Sequence, residues 1–287
     1  IDIVGISEWG KYVSAYAFAT VFDTFLGIGI PLVLLKFIPG YLQYDRIAAN
    51  SMIKRSLRYT VIASIFFMIV MYFLAPLFDQ YVYKEIEGFS FILLLVSIHA
   101  PISIFTGIIT SLYRSIFKIK EIILYSTFIA VPLRAILTFI TFQLADNIIY
   151  FIVIEIFTST LSMFLLFYFF NKNEFSLLNL SSDDQRFDTE VISYGKKAYA
   201  NSLIHFFANQ SLSLILSIML PPKEIGVFSI LLTITGVSLF LIKNLNKVFA
   251  PAISKLYSEN KMHELDQMFK KTTFIVNIIT IPFIILI

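Results

Sequence analysis

Cysteine is absent from this chain of 287 residues. That excludes disulfides, thiol catalysis and cysteine metal sites, and it leaves the compartment open. Charge is scarce too. Charged residues make up 14% of the chain and hydrophobic residues 58%, against roughly 25% and 45–50% in soluble domains. The net charge of +3 is too small to point to nucleic acid. The three histidines stand in no metal-ligand cluster, and no Ser/His/Asp set shows a spacing signal. Residues 5–11, GISEWGK, have the spacing of a phosphate loop, but Tyr12 stands where Mg²⁺ requires Ser or Thr and no strand precedes it. Asn179-Leu180-Ser181 fits a glycosylation sequon on a segment expected in the cytoplasm. No cofactor, metal or internal ATP motor is expected. A basic start, short apolar core and small-residue cleavage site are not seen together.

What the chain has is apolar length. About 20 apolar residues cross roughly 30 Å of hydrocarbon as a helix. Eight stretches qualify as expected spans: 11–38, 59–78, 89–113, 122–144, 148–170, 198–220, 225–252 and 273–287. None shows the ten-residue alternation of a barrel strand. The connectors alternate in charge. Those at 1–11, 79–88, 145–147 and 221–224 hold only Lys11, Lys84 and Lys223, while 36–58, 114–121, 171–197 and 243–272 hold 18 Lys and Arg. Cytoplasmic loops carry the Lys/Arg excess, so the basic set is expected in the cytoplasm of a multi-pass protein of the cytoplasmic membrane.

The chain also repeats itself. At an offset of 216, Glu8 falls on Glu224, Gly10 on Gly226, Tyr41 on Tyr257 and Lys54-Arg55 on Lys270-Lys271. Identities number six over Ser7–Thr60, so shared landmarks and hydropathy carry the match. Weak internal symmetry of this kind is the usual trace of repeated halves in secondary transporters. The expected fold is all-α: a polytopic bundle of two pseudo-symmetric six-helix lobes. Residues 1–170 would form the first lobe without its first helix, 171–197 a cytoplasmic linker, and 198–287 the start of the second lobe. The opening Ile1 and the apolar end, ITIPFIILI, read as cuts in a longer polypeptide.

Ionisable groups at membrane depth cost roughly 2.5–3.5 kcal/mol each and face bundle interiors or wet cavities. Asn201, His205, Asn209 and Ser213 recur every four residues with Gln210 alongside, forming one polar stripe. Tyr16, Thr20, Asp23 and Gly27 form a second, and Lys243 and Lys247 share a face with Gly236. The first and seventh spans are repeat mates, so these stripes are expected to line a common cavity. Glu155 and Arg134 read as a structural pair between neighbouring helices, or Glu155 as an ion-coupling site. His99 near Pro101 is the weaker candidate, since a kinked helix needs polar partners in any case.

The residues KEIGVFSILLTITGVSLFLIKNLNKVFAPAISKLYSENKMHELDQMFKKTT then carry a resemblance. Their turn, Glu-x-Gly-x-aromatic opening, Asn-rich patch before a proline and PxISxLY segment are similar to the polysaccharide-exporter (O-antigen-type flippase) family of the superfamily that includes multidrug exporters. WGKYVSAYAFATVFDTFLGIGIPLVLLKFIPGY resembles that family's second helix, in which a basic residue near the end, here Lys36, is common. The resemblance implies 12 to 14 helices in two lobes around a cavity that opens alternately to each side. The implied substrate is an isoprenoid-diphosphate-linked oligosaccharide, with membrane lipids, a polysaccharide polymerase and a chain-length regulator as partners. On this reading Lys243, Lys247 and Lys36 attract the diphosphate, and Asn201, His205, Asn209, Gln210 and Asn246 bond the sugars. Asp23 or Glu155 binds the coupling ion, and no residue is catalytic. The rival readings are a drug or cation antiporter, which predicts an anionic cavity, a membrane polysaccharide polymerase or glycosyltransferase, which predicts a large outward loop, and a scaffold.

Overall fold

The computed structural model describes residues 5–27, 29–83, 88–143, 147–173, 189–236 and 261–285, and all of its regular elements are helices. The first compact unit, Ile1–Gly226, contains α1 (Ile6–Gly27), α2 (Ile30–Tyr44), α3 (Arg46–Tyr81), α4 (Phe89–Ser97) and α5 (His99–Ser115). It continues through α6 (Ile119–Ile122), a π-helical turn (Ile123–Ile129), α7 (Ala130–Phe142), α8 (Ile148–Asn173), α9 (Thr189–Asn209) and α10 (Ser211–Met219). Helix α11, residues 222–236, begins in this unit. The second unit, Val227–Ile287, holds the rest of α11 and α12 (Met262–Ile285).

Among the described residues, five spans are long and apolar enough to cross a membrane. They are Ile6–Tyr44, Arg46–Tyr81, Phe89–Ser115, Ile119–Phe142 and Ile148–Asn173. The pair α9–α10, bent by 47°, makes a sixth if it counts as one span. The chain is a polytopic helical membrane protein. Large apolar side chains on α3 and α7, including Ile62, Phe66, Phe73 and Phe139, face outward as a lipid-solvated surface requires.

Helices run further than the apolar runs. The expected 36–58 connector is helical except at Asp45, whose carboxylate accepts from Ala48 N at 3.0 Å and starts α3. Met262–Thr272, expected as connector, is the first half of α12, where Lys270 pairs with Asp266 at 2.6 Å. Hydropathy reports where a helix is in lipid, not where its hydrogen bonds stop. Charged side chains with caps and i,i+4 pairs carry a helix on into water.

Two apolar clusters hold the first unit together, and four of the five long spans, all but Ile119–Phe142, contribute buried residues to both. One gathers Ala15 and Phe18 of α1, Phe67 and Met71 of α3, Phe89 and Leu93 of α4, and Ile152 of α8. The other gathers Leu34 and Ile38 of α2, Met52 and Ile53 of α3, Ile108 and Leu112 of α5, and Leu166 of α8. Between them each of these four spans turns polar. Thr20 and Thr24 lie between Ala19 and Leu34, and Ser56, Thr60 and Ser64 between Ile53 and Phe67. Ser97 and Ser103 precede Ile108, and Glu155, Thr158 and Ser162 lie between Ile152 and Leu166. The bundle is thus apolar at both ends and polar across its waist.

Two spans are broken at that waist. The chain turns at Gly29, whose φ of 67° lies in the left-handed region, and Pro31 follows in the first turn of α2. A Cβ on Gly29 would stand 2.9 Å from Ala198 C and from Tyr199 N, so α2 and α9 pack backbone against backbone here. Gly29→Ala combines a left-handed alanine, about 1–2 kcal/mol, with overlap at a fixed backbone, about 1 kcal/mol or more. The purified variant is expected to unfold at a clearly lower temperature than wild type. An unchanged melting temperature would contradict this contact.

Candidate functional site

The two breaks open onto one cavity of about 630 Å³. Its walls are Tyr16, Thr20, Thr24, Gly27, Gly29, Pro31 and Leu32 from the first span, Ser103, Ile104 and Gly107 from α5, and Asn201, Ser202, His205, Phe206 and Gln210 from α9 and its break. Discontinuous helices beside a polar cavity are a recurring way for membrane proteins to build a binding site, because unwound backbone is tolerated only where it is buried or wet. The backbone stays satisfied at both breaks. Gly29 O accepts from Leu32 N and Val33 N, and Gln210 N donates to Phe206 O at 2.8 Å.

No described lining residue is Asp, Glu, Lys or Arg. Thr20 donates to Ala17 O, Thr24 to Thr20 O and Ser202 to Ala198 O, which leaves their oxygen lone pairs turned to accept. With Asn201, His205, Gln210 and two aromatic faces, Tyr16 and Phe206, the wall offers neutral donors and acceptors beside flat apolar surface. That composition suits polyhydroxylated ligands better than isolated charges.

A smaller polar cavity of about 230 Å³ adjoins it, with Ser103 in both walls. It is lined by His99, Ile102, Thr106, Ser126, Ala130, Arg134, Ser159 and Ser162 as well. Behind it sits the charged cluster of the waist. Arg134 Nη1 donates to Glu155 Oε1 at 3.2 Å, Nε to Thr158 Oγ1 at 3.0 Å and Nη2 to Ser159 Oγ at 2.8 Å. Tyr12 OH donates to Glu155 Oε2 at 2.7 Å. The Tyr16 ring lies 5.8 Å from both the Tyr12 and His99 rings. Tyr16 therefore stands between the larger cavity and the charged cluster.

The expected polar stripe is only partly in the cavity. Asn201, His205 and Gln210 line it, but Asn209 turns its amide back to His205 O at 2.9 Å, one turn up its own helix. Lys36 is a correction. It lies two turns beyond Gly29, about 10 Å along α2, and outside the lining. Its ammonium pairs with Glu190 at 3.2 Å and rests 4.2 Å from the Tyr194 ring centre, both on α9. The pair Glu155–Arg134 forms as expected between α8 and α7. Lys243, Asn246 and Lys247 lie outside the described residues, as does the side chain of Asp23.

The contribution of α5 was not anticipated. Its signal was present, since His99, Ser103, Gly107 and Ser111 recur every four residues. Reading His99 only with Pro101 concealed that face. Tyr12 was likewise hidden as the residue one turn before Tyr16.

Removing one partner of a buried pair strands the other charge. Arg134→Met is expected to destabilise the protein by roughly 2–4 kcal/mol, below the fully buried range because its side chain is 31% exposed. Arg134→Met/Glu155→Met should recover more than half of that loss in thermal unfolding of the purified protein. Equal destabilisation of the single and double variants would contradict a neutralising role.

Against known proteins, the fold matches a solved structure described as the inward-facing conformation of a multidrug resistance MATE family transporter of the MOP superfamily. The TM-score is 0.67 at 15% sequence identity, covering 98% of this chain and 69% of that one. At that identity the likeness concerns the fold. No curated protein matches the chain. The family model described as "Polysaccharide biosynthesis protein" matches residues 3–287, and the chain belongs to that family.

Proposed function

We propose that this protein translocates an isoprenoid-diphosphate-linked oligosaccharide across the cytoplasmic membrane by alternating access, in the assembly of cell-surface polysaccharide. The observation that carries the reading is the convergence of two broken spans on one neutral, hydroxyl- and amide-lined cavity, in a chain of a polysaccharide biosynthesis family. Sugar hydroxyls are donors and acceptors at once, and a wall of Thr, Ser, Asn, Gln and His answers both roles. Tyr16 and Phe206 offer the flat faces that sugar C–H groups pack on.

In this reading the sugars occupy the cavity while the isoprenoid chain stays in lipid. The diphosphate is met by Lys243 and Lys247, whose charges act strongly in a low-dielectric setting. The Lys/Arg-rich connectors face the cytoplasm, and Asp23 or Glu155 takes the coupling ion. The step is transport rather than catalysis, with a polysaccharide polymerase and chain-length regulator as the partners downstream.

The test uses the full-length protein in its host. Deleting the gene should deplete surface glycan and accumulate lipid-linked units inside, and wild type should restore both. Lys243→Ala/Lys247→Ala should fail to restore them although well expressed. Asn201→Leu/His205→Leu, which removes two neutral partners at about 0.5–1.5 kcal/mol each, should lower the transport rate roughly tenfold or more. Normal surface glycan with altered drug sensitivity in the deletion strain would contradict the proposal.

A further inference from the structure

We infer that the crossing of α1 with the first turn of α11 is the gate that closes the cavity at the Lys/Arg-poor end of the bundle; the inference rests on the alternating-access reading above. A Cβ added to Gly10 would stand 1.7 Å from Pro222 O, and one added to Gly226 would stand 2.3 Å from Ile6 O. The two contacts are the same contact seen twice. Ile6 and Pro222 are 216 residues apart, as are Gly10 and Gly226, which is the offset of the sequence repeat. Each glycine therefore lies on the carbonyl four residues before its counterpart. The crossing is self-complementary in the way a two-fold interface is, although both sides belong to one chain.

Such a seam can part and re-form. Small-residue crossings are held by backbone dispersion and Cα–H···O contacts, each worth little, and at this one the Ile6 methyl is the side-chain atom that a Cβ on Gly226 would meet, at 2.8 Å. The large neighbour Trp9 turns away from the seam and packs at 5.1 Å on Tyr12 and 5.5 Å on Phe151. At the same end Tyr83 OH donates to Ser217 O at 2.6 Å and ties the α3–α4 connector to α10. Burial pushes that phenol up to about 12, so it keeps its proton and its donor role. From Gly10 to Tyr16, the first residue of α1 in the cavity wall, is about 9 Å along the helix, so the seam lies between that wall and the Lys/Arg-poor end.

The test reads the gate without needing a substrate. Because the chain contains no cysteine, a full-length protein cleared of any cysteines elsewhere can carry Thr20→Cys as its one thiol. Right-side-out and inverted membrane vesicles are treated with a membrane-impermeant maleimide. With the seam intact, label is expected from the Lys/Arg-rich face alone. Gly10→Leu, which wedges the crossing, should raise labelling from the opposite face at least fivefold. Gly226→Ala, a smaller wedge on the other side of the same contact, should give an intermediate rise and decides the matter if the leucine variant does not fold. Labelling from the Lys/Arg-poor face that is equal with and without the wedge would overturn the gate. A protein that gates as expected yet moves no lipid-linked sugar would contradict the proposed substrate and leave the gate standing.

Discussion

A polar group inside a bilayer must find its partner within the protein, because lipid supplies none. Here that constraint falls on the waist of the bundle, where all the long spans of the first unit except α7 exchange apolar packing for Ser, Thr and charge between two apolar clusters. The hydroxyls of Thr20, Thr24, Thr60, Ser97 and Thr158 bond back to their own helices, and Glu155 is shared by Arg134 and Tyr12. The spans that break do so at this level, where other polar groups are present to receive the freed backbone. Both polar cavities lie in the same layer. The apolar ends hold the bundle upright, and the waist is where it can bind something.

The waist also links parts that would otherwise be separate. Helix α1 carries the seam at Gly10, the bond from Tyr12 to Glu155, the Tyr16 ring and the cavity threonines. A movement of α1 would be felt at each. That single helix is the physical route by which a change in the charged cluster could alter the cavity or its closure. Coupling of this kind requires an element with two arrangements that both sites bias, and a seam of backbone against glycine is suited to having two.

Much of this was legible in the sequence because hydropathy and period four are properties of the chain alone. The membrane class, the main spans, the α9 stripe and the Arg134–Glu155 pair follow from them. The repeat landmarks Gly10 and Gly226 were visible as matched letters, and the structure supplies their meaning as reciprocal contacts. What failed to show depends on distance between elements. Lys36 read as a cavity cation, but it lies outside the lining, beside Glu190, 154 residues away. The α5 face was missed because small residues such as Ser103 and Gly107 carry no hydropathy signal, although they admit a cavity where larger ones would fill it. Helix ends were misplaced wherever charge, not lipid, continued the helix, as at Arg46 and Met262.

In the proposed transport the sugar portion of a lipid-linked oligosaccharide would enter the cavity at the waist. The most direct measurement is photo-crosslinking in native membranes. A benzophenone amino acid would be placed at Asn201 or, as a lipid-facing control, at Phe139, and the adduct identified by mass spectrometry. Glycan attached at position 201 and only lipid chains captured at position 139 are the expected result. Capture of lipid alone at both positions, in cells that accumulate the lipid-linked oligosaccharide, would contradict it.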